Sequence, residues 1–268
     1  MRNPLLVIVG HELRRRKLYI VWWSLGIIAL IALTVLAYGS IKGQAEQLNK
    51  AFGSLSSSIS GFVGTSDMFS PVGYLNSQLY YITLPILFII LTVTLAGSLL
   101  YKEERSGTLE LLLARPVGRS RLLLAKSLAG TAVATIIGAV VTVATLLCCL
   151  AIHLNVPAGH IVFASIWMVL FSGAFGAIAF MLYATSTLTQ HLAAAAAIAL
   201  SLGGYILTSL GGMVHGLSGV AKLLPYHYYD PGAILNGKVS GGLVIYVAAI
   251  YAISLAVALL GFRRRDIG

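Results

Sequence analysis

Charged residues are missing from long parts of this chain. Only 10% of its 268 residues are charged, whereas 58% are hydrophobic, and the mean hydropathy is +0.91. These values exclude an ordinary soluble domain, in which about 25% of residues are charged. Six stretches lack Asp, Glu, Lys, Arg and His altogether. They are residues 18–38, 81–101, 129–152, 161–183, 192–214 and 243–262.

Each uncharged stretch has the length of a membrane-spanning helix. About 20 helical residues cross about 30 Å of hydrocarbon, and a charge at the middle of a span costs about 2.5–3.5 kcal/mol on insertion scales. We therefore predict an all-α polytopic membrane protein with six transmembrane helices. These form a single transmembrane domain over residues 1–268, and the loops carry the function.

Cysteine and intramembrane acids are also scarce. The two cysteines, Cys148 and Cys149, are adjacent in the third predicted span. Neighbouring helical positions point about 100° apart, so we predict that both pack in the core rather than form a disulfide. No Ser/His/Asp arrangement appears, and the spans lack the ionisable residues of a proton relay. We therefore do not expect an enzyme.

The basic residues are shared unevenly between the two sides of the predicted bundle. When alternate loops are assigned to opposite sides, 14 of the 18 Lys and Arg fall in residues 1–17, 102–128 and 263–265. The positive-inside rule then places both termini and the loop 102–128 in the cytoplasm, with loops 39–80 and 215–242 outside. This distribution accounts for the net charge of +10 without nucleic acid as a partner.

The N-terminal segment has two competing interpretations. Residues 14–17 before an apolar run, and Ala37-Tyr38-Gly39 after it, resemble a cleaved signal peptide. A retained span is favoured, because the run is long and carries Trp22 and Trp23 at its edge. Residues 1–17 predict a cytoplasmic interfacial helix, since their apolar residues recur at helical spacing. A disordered basic tail is the alternative.

Small residues recur along the third and fourth predicted spans. Close approach of helices in lipid requires small side chains, so the pattern predicts helix packing. A substrate path along the same surface is the alternative. The residues are Gly130, Ala134, Gly138 and Thr142 at four-residue intervals, followed by Ser172 and Gly176.

Two other patterns do not predict a cofactor site. Gly232 to Lys238 resembles a phosphate-binding loop, but Val239 replaces the Ser or Thr that would hold Mg²⁺, and no strand precedes it. Four histidines fall near span ends on the predicted outer side. They are weak candidates for a metal, because none is at ligand spacing, and interfacial or capping roles are favoured. They are His153, His160, His215 and His227.

The loop between the second and third predicted spans contains a short apolar helix flanked by charges. This helix covers about residues 108–114, and Pro116 ends it by disfavouring the helical conformation at the preceding residue. It is too short to cross a bilayer. Held between two spans, it would give a soluble partner a handle by which to move them. A solvated charged loop is the alternative, but it does not account for Leu109 and Leu111 to Leu113.

This loop is similar to the one that characterises type-2 ATP-binding-cassette (ABC) permeases. The similarity covers residues 103–119 and 122–126, with further matches at residues 71–75 before the second span and 226–231 before the sixth. Within that group the chain most resembles the bacterial branch that includes the nitrous-oxide-reductase maturation permease. The six-span layout as a whole fits the same family.

The resemblance implies the permease half of an ATP-driven exporter in a bacterial or archaeal plasma membrane. Such a half pairs with a second one, expected to be an identical copy, and docks on two soluble ABC ATPase subunits. ATP and Mg²⁺ bind to those subunits and not to this chain. The loop 102–121 would be the coupling helix, with leucines filling a groove of the ATPase and charges pairing at its rim. The partner-binding residues carried over are Glu103, Glu104, Arg105, Ser106, Gly107, Thr108, Leu109, Glu110, Leu112, Leu113, Pro116 and Arg119.

Two other functions remain open from the sequence. The first is a membrane scaffold that uses a partner ATPase to mature or move another protein without transporting a solute. The second is a secondary carrier that needs no ATPase. The uncharged spans argue against proton coupling in such a carrier.

Overall fold

The computed structural model describes residues 4–52, 64–65, 67–105, 118–185, 190–211 and 223–264. Within these ranges the regular secondary structure is helical. The helices are α1 (Pro4–Arg15), α2 (Lys17–Ile41), α3 (Ala45–Phe52), α4 (Pro71–Leu75), α5 (Thr83–Leu99), α6 (Tyr101–Arg105), α7 (Arg119–Ala151), α8 (Ala158–Thr185), α9 (Gln190–Gly211), α10 (Pro231–Leu235) and α11 (Gly241–Arg264). Short 3-10 turns cover Lys42–Gln44 and Pro225–His227, and a π-helical turn covers Asn76–Tyr80.

Six described helices are long and apolar enough to cross a membrane: α2, α5 with the turns before it, α7, α8, α9 and α11. The predicted all-α fold with six spans is therefore confirmed. One large difference lies in α7, which begins at Arg119, well before the predicted start of its span at residue 129. Hydropathy marks only the hydrocarbon-crossing part of a helix, whereas the helix continues through the polar residues before it.

The second span also begins earlier than predicted. The helical chain starts at Pro71, and the Oγ of Ser70 caps it by accepting a hydrogen bond from the Gly73 amide at 3.1 Å. A Cβ on Gly73 would lie 1.6 Å from the Asp67 carbonyl oxygen, so the turn into this helix requires glycine. The chain then passes through the π-helical turn into α5.

The helix α8 forms the centre of the bundle. It packs against α5, α7, α9 and α11, and it buries large side chains such as Met168, Phe171 and Phe175. In the second span, about 61% of an 18-residue apolar part is buried, whereas the corresponding share in the first span is 17%. The helix α2 therefore lies at the edge of the bundle, with an apolar face available to lipid.

Both ends of the described chain lie at the same end of the bundle. The helix α1 packs against α7, and the Nε of Arg263, near the end of α11, donates to the Oγ of Ser120 at 2.8 Å. We call this the basic end. At the opposite, distal end the Nζ of Lys42 donates to the His153 carbonyl at 2.8 Å. An even number of spans produces this arrangement.

Short helices lie in the loops at the distal end. The helix α3 lies within loop 39–80 and is described as far as Phe52. In loop 215–242 a 3-10 turn begins at Pro225 and α10 begins at Pro231. Each proline occupies the first turn of its helix, where its missing amide hydrogen leaves no intrahelical bond unmade.

Candidate functional site

The predicted coupling helix falls mostly outside the described residues. Residues 106–117 are not described, so the predicted contacts of Ser106, Gly107, Thr108, Leu109, Glu110, Leu112, Leu113 and Pro116 stay predictions. On one side, α6 follows directly from α5, and the Glu104 amide donates to the Leu100 carbonyl at 3.1 Å. On the other side Gly118 leads into α7. Glu103 lies in α6, Glu104 is half-buried, and Arg105 and Arg119 are exposed. Both flanks therefore belong to helices that continue into spans.

A buried ionic cluster lies at the basic end behind this segment. The Oε1 of Glu12 accepts a hydrogen bond from the Nζ of Lys126 at 3.4 Å, and its other oxygen pairs with Arg16. Lys126 is 0% exposed and Glu12 is 4% exposed. The Nη2 of Arg16 also donates to the carbonyl of Ser98 at 3.1 Å. The cluster therefore joins α1, α5 and α7.

The cluster follows from burial and charge. Ions taken out of water are costly, and they are tolerated when paired and hydrogen-bonded. Here one carboxylate is shared between two cations, and the end of α5 supplies a carbonyl acceptor. Sequence reasoning missed this site, because it assigned Glu12 to an interfacial helix and Lys126 to a loop. A possible signal was Lys126 itself, which lies among Leu122, Leu123 and Ala125 at helical spacing.

The stripe of small residues lies at helix contacts. A Cβ on Gly138 would come 2.5 Å from the Cγ2 of Val169 on α8, and one on Gly130 would come 3.1 Å from Leu99 on α5. Thr142 donates to the carbonyl of Gly138 in its own helix at 2.9 Å. These residues allow α7 to approach its neighbours closely.

The same kind of contact joins α5 and α8. A Cβ on Gly176 would lie 2.5 Å from the Cβ of Thr92, and the Oγ1 of Thr92 lies 3.3 Å from the Ser172 carbonyl, to which it donates. Ala134 is 7% exposed and lies on the part of α7 that faces α5 and α8. Gly130, Gly138 and Gly176 therefore lie where their helices approach a neighbouring helix closely.

A cavity of about 140 Å³ lies between α5, α7, α8 and α11. The stretch of α7 in its wall runs from Ser127 to Thr135, close to the basic end, and includes the predicted packing residues Gly130 and Ala134. The wall is mostly aliphatic, with hydroxyl groups from α5, α7 and α11. None of its described residues carries a formal charge. The hydroxyl-bearing residues are Thr92, Ser127, Thr131, Thr135, Tyr251 and Ser254.

Aromatic side chains close the distal end. Phe171 stacks on Tyr229 with ring centroids 4.2 Å apart, and Tyr226 meets Phe171 edge-on at 4.9 Å. The hydroxyl of Tyr229 donates to the Tyr80 carbonyl at 2.9 Å, and that of Tyr80 lies 2.8 Å from the Oγ of Ser165. Burial raises the pKa of Tyr229 well above its ordinary value, so it remains a neutral donor. This cluster fixes the loop before α11 to the bundle.

The described histidines lie at turns of the distal end. His153 adopts φ 51° just after α7, where the Leu154 amide donates to the Cys149 carbonyl at 2.9 Å and completes the end of the helix. His160 lies beside Gly237, which has φ 77°. His227 is exposed, and His215 lies outside the described residues. In the part of the chain that the structure describes, no three His, Cys, Asp or Glu side chains are grouped to hold a metal.

The comparison with known families agrees with this architecture. A family model described as ABC-2 family transporter protein matches residues 6–232, which is most of the chain. No curated protein matches the chain closely enough to add to this. The match includes most of α1, the first five spans and the segment between α5 and α7. The chain therefore belongs to the ABC-2 family of transporter proteins, as a membrane-spanning permease component.

Proposed function

We propose that this chain is the permease subunit of an ATP-driven exporter, moved by separate ATPase subunits through residues 102–121. The observation that supports this most strongly is the rigid base of that segment. Its flanks belong to α6 and α7, and the buried pair of Glu12 and Lys126 lies two helical turns from Arg119. A force applied to the segment would reach the spans directly.

The proposed motion starts on the partner. ATP and Mg²⁺, held by the ATPase subunits, supply the energy, while this chain contributes an apolar helix with Leu109, Leu112 and Leu113 for a groove on their surface. Glu104, Arg105, Glu110 and Arg119 would add ion pairs at the rim. Because the ionic cluster ties α1 to α5 and α7, the three helices would move as a unit and change the access of the bundle.

The proposal also includes orientation and stoichiometry. The basic end would face the cytoplasm, where ATP is found, in keeping with the excess of Lys and Arg in the segments at that end. A second permease half, identical to this chain, would complete the membrane part, and two ATPases would dock on the pair. We also propose that the chain lies in a bacterial or archaeal plasma membrane. Within the family, we place it nearest to the branch that includes the nitrous-oxide-reductase maturation permease.

The test changes residues of the proposed coupling segment, 102–121, and leaves the spans unaltered. We expect Leu112→Asp to remove an apolar contact and Glu104→Arg to reverse a rim charge. Each variant should lose most of the ATPase that co-purifies from native membranes in mild detergent. ATP hydrolysis by any complex that remains should no longer respond to the permease. The measurements are the amount of ATPase per permease and its hydrolysis rate.

The controls carry the same changes at the distal end. Leu223→Asp alters a leucine that is 73% exposed, and Glu46→Arg alters an exposed glutamate of α3. Both should insert and retain the ATPase as the unmodified chain does. If Leu112→Asp and Glu104→Arg also retain a normally responsive ATPase, the assigned handle is wrong.

A further inference from the structure

We propose that the cavity between α5, α7, α8 and α11 binds a small uncharged amphiphile, meaning an apolar molecule with one hydrogen-bonding group. Nothing about the ATPase is required for this binding. It would take place within a single permease chain and can be measured without a partner.

The wall of the cavity determines the charge of the ligand. Its described residues are aliphatic, aromatic, glycine or hydroxyl-bearing, and none is ionised. A charged group placed there would lose its hydration without gaining an opposite charge. The ligand is therefore neutral, and most of its surface is apolar.

One side chain in the wall, Ser254, is placed to form a hydrogen bond with a polar group on the ligand. Ser254 on α11 lines the cavity and is 4% exposed, and none of the described hydrogen bonds involves its hydroxyl. A hydroxyl that faces a mostly aliphatic cavity without a partner there lacks the hydrogen bond that water would otherwise provide. A ligand with a hydroxyl or carbonyl group would supply the missing partner, which a plain hydrocarbon cannot do.

The other hydroxyls of the wall are already used as donors. Those of Thr131 and Thr135 donate within α7, at 3.0 and 2.9 Å, to the carbonyls four residues before them. Thr92 donates to the Phe88 carbonyl at 2.9 Å, and Tyr251 donates to that of Leu170 at 3.2 Å. The hydroxyl of Ser127 donates within its own helix at 3.0 Å. Ser254 is therefore the point at which a polar group of the ligand would bind.

Size and access fit a small molecule that arrives from the membrane. A cavity of about 140 Å³ is close to the ~150 Å³ of an engineered apolar cavity that binds benzene. Four of its lining residues are exposed on the side of the bundle: Thr131, Thr135, Leu170 and Leu255. An uncharged amphiphile dissolved in the bilayer can enter between them. A lipid acyl chain could enter too, but it would leave Ser254 unpaired.

The test uses two photoreactive probes that differ in one hydroxyl: a diazirine-bearing benzyl alcohol and the corresponding toluene. They are applied to the full chain in lipid nanodiscs, and mass spectrometry locates the labelled peptides. We expect saturable labelling of α7 and α11. The variant Ser254→Ala, which is nearly isosteric, should weaken the alcohol about tenfold and leave the toluene unchanged. Loss of one net hydrogen bond of about 1.4 kcal/mol corresponds to this factor.

Cavity filling provides a second variant. Ala134→Leu places extra carbon atoms in the space and should abolish saturable labelling by both probes. Ala139→Leu is its control, because Ala139 is exposed on the same helix and does not line the cavity. Ser209→Ala, a buried serine elsewhere, is the control for Ser254→Ala. Equal effects of Ser254→Ala on both probes, no effect on either, or labelling that does not saturate would overturn the proposal.

Discussion

At the scale of single residues, the ionic cluster of the basic end is the most consequential feature. Glu12 lies in a short helix that pattern analysis assigned to the membrane surface, and Lys126 was assigned to a loop. The structure buries both and joins them. Hydropathy could not predict this, because it records the charge of a residue and not the partner that makes its burial tolerable.

Replacing the shared carboxylate should be costly. We expect Glu12→Ala to lower the free energy of unfolding by about 3–5 kcal/mol, because the fully buried Lys126 and the half-buried Arg16 would both lose the carboxylate that they share. The measurement is reversible unfolding in mixed detergent micelles. Glu46→Ala is the matched control, since its pair with Lys50 is exposed on both sides and contributes at most about 0.5 kcal/mol. Similar losses in the two variants would contradict the role given to the cluster.

At the scale of helices, apolar length predicted every span, whereas the ends of the helices were predicted less well. Span four begins and ends within a few residues of its predicted limits, and span five begins within a few residues of its predicted start. The start of α7 differed by ten residues, because residues 119–126 are polar enough to fall outside an apolar stretch and still favour a helix. The four-residue spacing of small residues indicated which face of α7 contacts a neighbour, but it could not identify that neighbour as α8 at Gly138.

The contact at Gly138 should tolerate no extra carbon. We expect Gly138→Ala to destabilise the protein by about 1–3 kcal/mol, because the new Cβ would overlap the Cγ2 of Val169. Adding Val169→Ala should recover part of this loss by removing the colliding methyl groups. Gly203→Ala in α9 is the control, since nothing lies within 4 Å of its Cβ position. Unfolding in mixed micelles measures all three, and a neutral Gly138→Ala would argue against close packing there.

At the scale of the whole molecule, the sequence predicted the layout and left the interior site unseen. Six spans and two ends on one side of the bundle follow from composition and charge. The cavity and its unpaired hydroxyl depend on how four separate helices meet, and no local pattern carries that information. The predicted coupling helix is the opposite case. Its residues are distinctive in the sequence, but residues 106–117 lie outside the described structure.

Orientation can be tested on the complete chain. Cysteines are introduced singly at Glu46, in α3, and at Arg263, near the end of α11. We expect the first to react with an impermeant maleimide applied to intact cells and the second to react only after permeabilisation. The unmodified chain measures any background from Cys148 and Cys149, one half-buried and the other buried. The opposite pattern of reactivity would invert the proposed topology.

The hydrogen bonds of Thr131, Thr135 and Thr142 have one more consequence. Each hydroxyl is satisfied by a carbonyl of α7 itself, so sliding this rod along its neighbours breaks none of these bonds. The ionic cluster holds the start of the same helix through Lys126. A helix that is held at one end, and in which these three threonines bond to its own carbonyls, would transmit a small displacement of that end across the full thickness of the bilayer.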